Sequence, residues 1–482
     1  MNSPAEASDG KKSRASIALA LIFLVGCWLR ISAVYSHLDT FRAGLGRFGD
    51  SLVYHCLGYH LAVDHVYSST RNGPSLGMIG PPEELIPSVT RAPTYPLFLA
   101  IVYKLHQIPT QTEQWTPIWT HVRVIQCVMD AAVCLLVFLM TRRLNRTSYK
   151  PALLAATLYS LNPYTTYFAR AILAEPLATF CLAASLYCLL RQLQDESSVI
   201  PGLLAGAGLA LASMARPENH VLAAIFALQL GLRLPRKHGL RQAGLFLLSF
   251  FLSLAPWALR TSLILGKFTL TPVGQQGYSL YHGSYETPWN WIDWDVYPDS
   301  LQLRPDQLAN LNLTTTNWLD AFHSGRPEVV AHDQIFMDMA MDRYKTTPVE
   351  CVKTWFARVP LLWRLVSVKF YYEPEPPGYY MWTLVVLAAI GTLTARGPGA
   401  TLLASHPVSI TLILLPLHVE PRFSILAIPA LSSLAGLGLA RLIRRRTEKI
   451  EETWALNSAS LTPAERCEES GWVAEIDTQA ER

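Results

Sequence analysis

Asp50 stands in the stretch Arg47 to Tyr59, RFGDSLVYHCLGY, directly after the first long apolar run. From Ser51 the pattern is helical, with Leu52, Tyr54, Leu57, Tyr59 and Leu61 making a mixed apolar and aromatic surface. An Asp at the head of such a helix is either its N-cap, with the helix lying on a membrane surface, or a carboxylate placed there for chemistry. A second carboxylate, Glu175, lies in YFARAILAEPL beside Arg170. Arg216 and Glu218 stand in MARPENH, Arg260 ends APWALR, and Glu420 and Arg422 stand in HVEPRF. Arg91 follows Asp50 in the same connecting segment. Two carboxylates among several guanidinium groups suit an anionic substrate, because Arg holds phosphate bidentately. They also suit proton transfer, because a carboxylate in hydrogen-bond reach can take a proton from a hydroxyl or amine. Any one of these Arg alone is also an ordinary solvated helix-end anchor. Charges that face a bundle interior are costly and tend to mark sites.

The elements that must position these residues are membrane helices. The 482 residues are 51% hydrophobic and only 16% charged, with the apolar residues in long runs. That predicts an all-α polytopic membrane protein and excludes an ordinary soluble enzyme. The net charge of +4 says little, because Lys and Arg are concentrated in particular loops. The first run, 15–35, follows Lys11, Lys12 and Arg14 and has no small-residue cleavage site. It reads as an uncleaved first helix with the N-terminus in the cytoplasm. Basic clusters at Arg142, Arg143 and Arg146, at Arg233, Arg236, Lys237 and Arg241, and at Arg441 and Arg444 to Arg446 should also be inside. Between them lie candidate spans near 118–141, 150–169, 173–191, 200–215, 218–234, 241–264, 379–395, 400–418 and 423–441. With the first helix this makes about ten crossings. The run 93–107, PTYPLFLAIVYKLHQ, is short, and a crossing there would put Arg142 and Arg143 outside. It therefore reads as an interfacial or re-entrant helix.

The chain then divides into a cytoplasmic N-terminus (1–14) and a transmembrane module (15–264) with a first external loop at 37–117. An external segment (265–377), C-terminal spans (378–441) and a charged, disordered cytoplasmic tail (442–482) complete it. In this topology Asp50, Arg91, Arg170, Glu175, Arg216, Glu218, Arg260, Glu420 and Arg422 all fall on the outer face.

The external segment opens with Tyr278, Tyr281, His282 and Tyr285, then Trp289, Trp291 and Trp294. These aromatics suit either sugar rings or the membrane interface. Residues 347–372 read as an amphipathic surface helix carrying Lys353, Arg358, Arg364 and Lys369. His55, His60 and His65 near Asp64 read as solvated, since only His60 and Asp64 share a helix face, and no metal site is assigned. The sequon Asn312-Leu-Thr314 falls on the external side. Most of the eight Cys lie in apolar runs and read as small hydrophobes, not as a disulfide or zinc framework.

In order along the chain come FGDSLVYHCLGYHLA, RAPTYPLFLA, ARAILAEPLATF, MARPENHVLA, LAPWALRTSLILGKF and EPRFSILAIPAL. This series resembles the polyprenyl-phosphate-dependent membrane glycosyltransferases of the C-type fold, near the protein O-mannosyltransferases and the lipid A aminoarabinose transferases. The resemblance is fullest over residues 15–270. It implies that Asp50 is the catalytic base, with Glu175 assisting by orienting the acceptor or Asp50, or by helping to hold a divalent cation. It implies that Arg91, Arg170, Arg216 and Arg422, with Arg260, bind the donor phosphate, and that transfer inverts the sugar carbon. Tyr54, Tyr281 and His282 stand as candidate contacts to sugar or lipid. Asp50 is followed by Ser51 and not by the second acid that mannosyltransferases often carry, so a protein acceptor does not follow. The expected partners are a polyprenyl-phosphate sugar donor, a lipid, glycan or protein acceptor and membrane lipids, with no nucleic acid. A divalent cation is the one cofactor left open. The expected location is the plasma (inner) membrane, with the active site on the external, periplasmic side. Two rivals share these features: a transporter or flippase for a lipid-linked sugar, and a polymerase or ligase of the same membrane class.

Overall fold

The computed structural model describes residues 4–36, 49–69, 85–106, 116–195, 197–287, 329–364 and 378–460. Among them regular structure is helical throughout. The N-terminal part holds α1 (Pro4–Tyr35), α2 (Gly49–Val63), α3 (Thr94–Lys104) and α4 (Thr116–Leu144). Then come α5 (Lys150–Ser160), α6 (Pro163–Ala169), α7 (Glu175–Gln192), α8 (Ile200–Ser213), α9 (His220–Arg233) and α10 (Arg236–Leu265). The C-terminal part holds α11 (Gln276–Tyr285), α12 (Val329–Thr346), α13 (Pro348–Leu362), α14 (Tyr379–Thr394), α15 (Pro398–Leu414) and α16 (Ile428–Ser460).

Among the described residues four stretches are long and apolar enough to cross a bilayer: Lys12–Tyr35, Thr116–Leu144, Arg236–Leu265 and Pro421–Glu451. Ile200–Ser213, Tyr379–Thr394 and Pro398–Leu414 are shorter apolar helices. Leu21, Leu24, Leu248, Leu252, Leu259 and Leu263 are exposed, so α1 and α10 carry apolar surface outwards as well as inwards. Helices hydrophobic on every side belong in lipid. This is an integral membrane protein.

Where the driving force for association cannot be escape from water, small residues let helices approach closely. A Cβ added at Gly206 of α8 would overlap the Phe246 carbonyl of α10. Added at Gly391 of α14 or Gly438 of α16, it would overlap the other helix's backbone.

A charged pair joins the first long helix to the bundle. Arg30 of α1 donates from Nε to Asp130 of α4 at 2.6 Å. Its other nitrogens donate to Gly26 O, Ser160 O and Thr165 Oγ1 at 3.2, 2.8 and 2.7 Å. Tyr159 donates to the second oxygen of Asp130 at 2.9 Å. Arg30 and Asp130 are buried. Ser160 and Thr165 flank a break that splits the expected 150–169 span into α5 and α6, because Pro163 follows Asn162 and the Asn162 side chain caps the new helix.

Other expectations change. Asp50 lies inside the first turn of α2 rather than capping it. The run at 93–107 forms the 11-residue helix α3, about 16 Å long and too short to cross. α16 runs on to Ser460, through residues assigned from charge to a disordered tail. His55 and His60 are buried, not solvated: His55 packs against Tyr103 and Trp119, and His60 pairs with Asp64 at 2.8 Å. Trp289, Trp291, Trp294, Asn312 and Lys369 lie outside the described residues. Among the described residues Cys27, Cys127, Cys134, Cys181, Cys188 and Cys351 are free thiols.

Candidate functional site

Asp50 projects from the first turn of α2 into the space between two guanidinium groups. Arg91 donates to its Oδ1 at 2.6 Å and Arg422 to its Oδ2 at 2.7 Å. Arg91 comes from the segment that leads into α3. Tyr67 donates to the carbonyls of Arg91 and Ala92, and Val273 N donates to Val89 O. Arg91 also donates to the Gln275 side chain at 2.7 Å. Arg422 comes from the short 3-10 helix, Pro421–Ala427, that precedes α16.

Glu175 is the first residue of α7, where the amide ends of the helix favour a negative charge. Arg216, in the turn between α8 and α9, donates to Glu175 at 2.8 Å and to Glu218 at 2.7 Å. Arg422 lies 3.5 Å from Glu175 and 2.6 Å from Glu420. Phe423 takes the Arg216 guanidinium over its ring at 4.4 Å. Arg91, Asp50, Arg422, Glu175, Arg216 and Glu218 thus form one unbroken run of ion pairs. Burial raises the proton affinity of Asp50, but Arg91 and then Arg422 outweigh it and hold the carboxyl well below the usual range.

The run continues through Glu420. His418 Nε2 lies 3.6 Å from Glu420, and its Nδ1 lies 2.9 Å from Glu286 at the end of α11. Burial alone would discharge His418, but Glu286 and then Glu420 hold its imidazolium up to about 9. Burial again opposes charge on Glu420, and Arg422 overcomes it, taking the carboxyl down to about 2. Glu286 also lies 3.8 Å from Arg358. Arg358 is not a surface charge. It is buried and donates to the carbonyls of Gly283, Leu415 and Leu417 at 2.8, 2.6 and 2.8 Å.

The structure therefore brings together Asp50, Glu175, Arg91, Arg216 and Arg422. Arg170 stacks on Tyr167 at 4.5 Å and donates to its carbonyl. Arg260 sits over Tyr67 and Trp257 and donates to Ser88 O at 3.0 Å. Tyr54 is buried one helical turn beyond Asp50, edge-on to Tyr95 at 4.9 Å. Tyr281 and His282 are buried on α11, with the His282 ring 5.8 Å from that of His418. His418 and Glu286 were not among the expected site residues. The HVEPRF motif carries His418 beside Glu420, and Glu286 stands one helical turn after His282, so the signal was spacing without a partner.

Three guanidinium groups meet the two carboxylates: Arg91 and Arg422 take the two oxygens of Asp50, and Arg216 and Arg422 face one oxygen of Glu175.

All of these groups lie at one set of helix ends. Glu175 starts α7, Arg216 follows α8 and Arg422 precedes α16, whereas Arg142 and Arg143 end α4 and Arg233 and Arg236 flank the α9–α10 turn.

The fold is that of the C-type membrane glycosyltransferases. Residues 91–258, less than half of the chain, match the family described as dolichyl-phosphate-mannose-protein mannosyltransferase. The archaeal oligosaccharyltransferase AglB of Archaeoglobus fulgidus, in complex with an inhibitory peptide and a dolichol-phosphate, superposes with a TM-score of 0.54 at 13% identity. The match covers 96% of this chain and 54% of that one, so the chain spans about half the length of the oligosaccharyltransferase. The same enzyme tethered to an acceptor peptide gives a TM-score of 0.51 at 14% identity, with the same coverage. ArnT of Cupriavidus metallidurans bound to undecaprenyl phosphate gives only 0.37 at 11% identity, over 90% of this chain and 80% of that one, too loose a likeness to weigh. A search of the curated proteins found no match. The resemblance carried by the sequence motifs thus stands, for the fold across the chain and for the family over residues 91–258.

Proposed function

We propose that this protein is a membrane glycosyltransferase that moves a sugar from a polyprenyl phosphate to an acceptor on the external face, with about ten crossings anchoring it. The observation that carries the reading is the clamp of Arg91 and Arg422 on Asp50, continuous with Glu175 through the same Arg422. Acids and guanidinium groups from four distant parts of the chain meet at the helix ends opposite the basic clusters. A prenyl tail that stays in the bilayer would present its phosphate at that level. The basic clusters at the other ends support a cytoplasmic side there, and with it an external side here.

The clamp suggests how donor binding readies the base. With both guanidinium groups on it, Asp50 is a poor proton acceptor. A donor phosphate competes for the same forks. As it draws Arg91 and Arg422 away, Asp50 loses the positive charge that suppresses its basicity. The acceptor hydroxyl or amine then attacks the anomeric carbon from the face opposite the phosphate. Its oxygen or nitrogen forms the new bond, and its proton passes to Asp50. The bond from carbon to phosphate oxygen breaks, and its electron pair leaves on the phosphate, where the guanidinium groups stabilise it. Attack from the opposite face inverts the sugar carbon. Glu175, with one buried oxygen lacking a hydrogen-bond partner among the described residues, orients the acceptor.

The test is release of free polyprenyl phosphate from a labelled polyprenyl-phosphate sugar by the purified protein in lipid nanodiscs. Release coupled to an acceptor is the expected result. Movement of the lipid between leaflets with no release from any such donor would leave a transporter instead.

A further inference from the structure

A second cluster of donor atoms lies beyond Arg422. We propose that His282, Glu286 and His418 form a binding site for a first-row transition cation of the zinc class, which clips α11 to the turn that delivers Arg422. One atom from each of the three lies within 4.8 Å of the others. Bonds of about 2.0–2.2 Å in a tetrahedral site set ligand atoms about 3.3 Å apart. His418 Nδ1 and Glu286 are already 2.9 Å apart, so closure asks only that His282 approach them from within 4.8 Å. Two imidazoles and one carboxylate make a set suited to zinc; calcium and magnesium prefer oxygen alone.

The site is built by the backbone. His282 and Glu286 are one helical turn apart and share a face of α11. His418 is delivered by the 415–418 turn, whose amide at His418 donates to Ser279 O at 2.8 Å. That turn can approach only because residue 283 is Gly; a Cβ there would overlap the Pro416 carbonyl. Arg358 then fastens both sides by donating to carbonyls of each.

Glu286 supplies a second, independent observation. It is fully buried, and its Oε1 has no hydrogen-bond partner among the described residues. A carboxylate oxygen so placed is costly unless something positive takes it. Arg358 lies 3.8 Å away and spends its closer bonds on backbone carbonyls. The other nitrogen of His418 faces Glu420, the carboxylate–histidine arrangement that orients a metal-bound imidazole. Glu420 in turn holds Arg422, so coordination would be felt at Asp50.

Metal binding does not depend on the transferase reading, so it can be measured without a substrate. The full-length protein, purified in detergent and stripped with chelator, is titrated with Zn²⁺ by calorimetry and with Co²⁺ by visible absorption. We expect one equivalent to bind, with the cobalt bands of a four- or five-coordinate nitrogen and oxygen site. His282→Gln and Glu286→Gln, checked for folding by gel filtration and circular dichroism, should each weaken binding more than about 100-fold, beyond the usual cost of losing an outer-shell partner. Glu420→Gln should cost about 10- to 100-fold. No uptake by the folded wild-type chain would leave only a His418–Glu286 ion pair. Undiminished uptake by both Gln variants would place the metal elsewhere. Either result overturns the proposal.

Discussion

The Arg30–Asp130 pair and the Asp50 cluster use the same chemical groups and are finished differently. Around Arg30 each guanidinium nitrogen finds an acceptor, and Asp130 receives Tyr159 as well as Arg30. Both side chains are sealed from solvent, at 0% and 2% exposure. At the Asp50 cluster Asp50, Arg91 and Arg422 keep 20%, 14% and 11% of their side-chain surface open. Glu175 and Glu286 each hold an oxygen with no hydrogen bond among the described residues. A saturated, closed pair has nothing left to offer a ligand and serves to hold α1, α4 and the α5–α6 break together. An open cluster with bonding capacity to spare can exchange partners. Burial of charge alone does not separate a structural pair from a site; saturation does.

The contrast can be broken at its strongest point first. Asp50→Asn is expected to cost about two to four powers of ten in transfer rate, the usual contribution of a general base. The thermal midpoint of that variant in detergent should move little, because the site is partly open. A folded, fully active Asp50→Asn enzyme would remove Asp50 as the base. Asp130→Asn should show the opposite pattern. Leaving the Arg30 charge buried without its partner should destabilise the protein by about 3–5 kcal/mol, while turnover per folded molecule stays near wild type. Equal loss in both readouts would mean that Arg30 and Asp130 belong to the site after all.

Finer effects sharpen the same contrast. Arg91→Ala should raise the donor KM about tenfold, the loss of roughly one charge-assisted contact, with acceptor preference unchanged. An unaltered donor KM would count against phosphate binding. Arg260→Ala should cost about 1–2 kcal/mol of stability through its ring contacts and its bond to Ser88, with donor affinity preserved. The smallest effect is with pH. Because the folded state depresses the Asp50 carboxyl, its ion pairs contribute fully above the ordinary carboxylate value of about 3.9 and fade only as pH falls towards the folded value. The stability difference between wild type and Asp50→Asn should therefore stay flat between about pH 5.5 and 8. A slope in that range would show that the clamp on Asp50 is weak.

Much of this was legible before any tertiary contact was known. Hydropathy located the apolar parts of the four long helices, because a membrane span is a one-dimensional property of the chain, but not the polar turns that extend α1 back to Pro4 and α16 on to Ser460. Asp50, Glu175, Arg91, Arg216 and Arg422 stood out because ionisable residues at spans are costly to keep. Arg170 and Arg260 looked equivalent to them, but the contacts seen among the described residues are to rings and backbone carbonyls. Their neighbours Tyr167 and Trp257 take their guanidinium faces, and nothing in a motif says which way a side chain turns. Arg358 misled in the other direction. An amphipathic pattern put it on a surface, yet it is buried because α11 and the 415–418 turn together offer three carbonyls that need donors.

The sequence by itself determined the membrane class, the long apolar helices and the short list of acids and Arg, since each follows from local composition and from the energetic cost of charge in lipid. Only the tertiary structure decided which of those charges are partners, that His418 and Glu286 join them, and that one buried pair is closed while the other network is open. Those outcomes depend on distances between residues far apart in the chain, and such distances are set by helix packing, not by any pattern along the sequence.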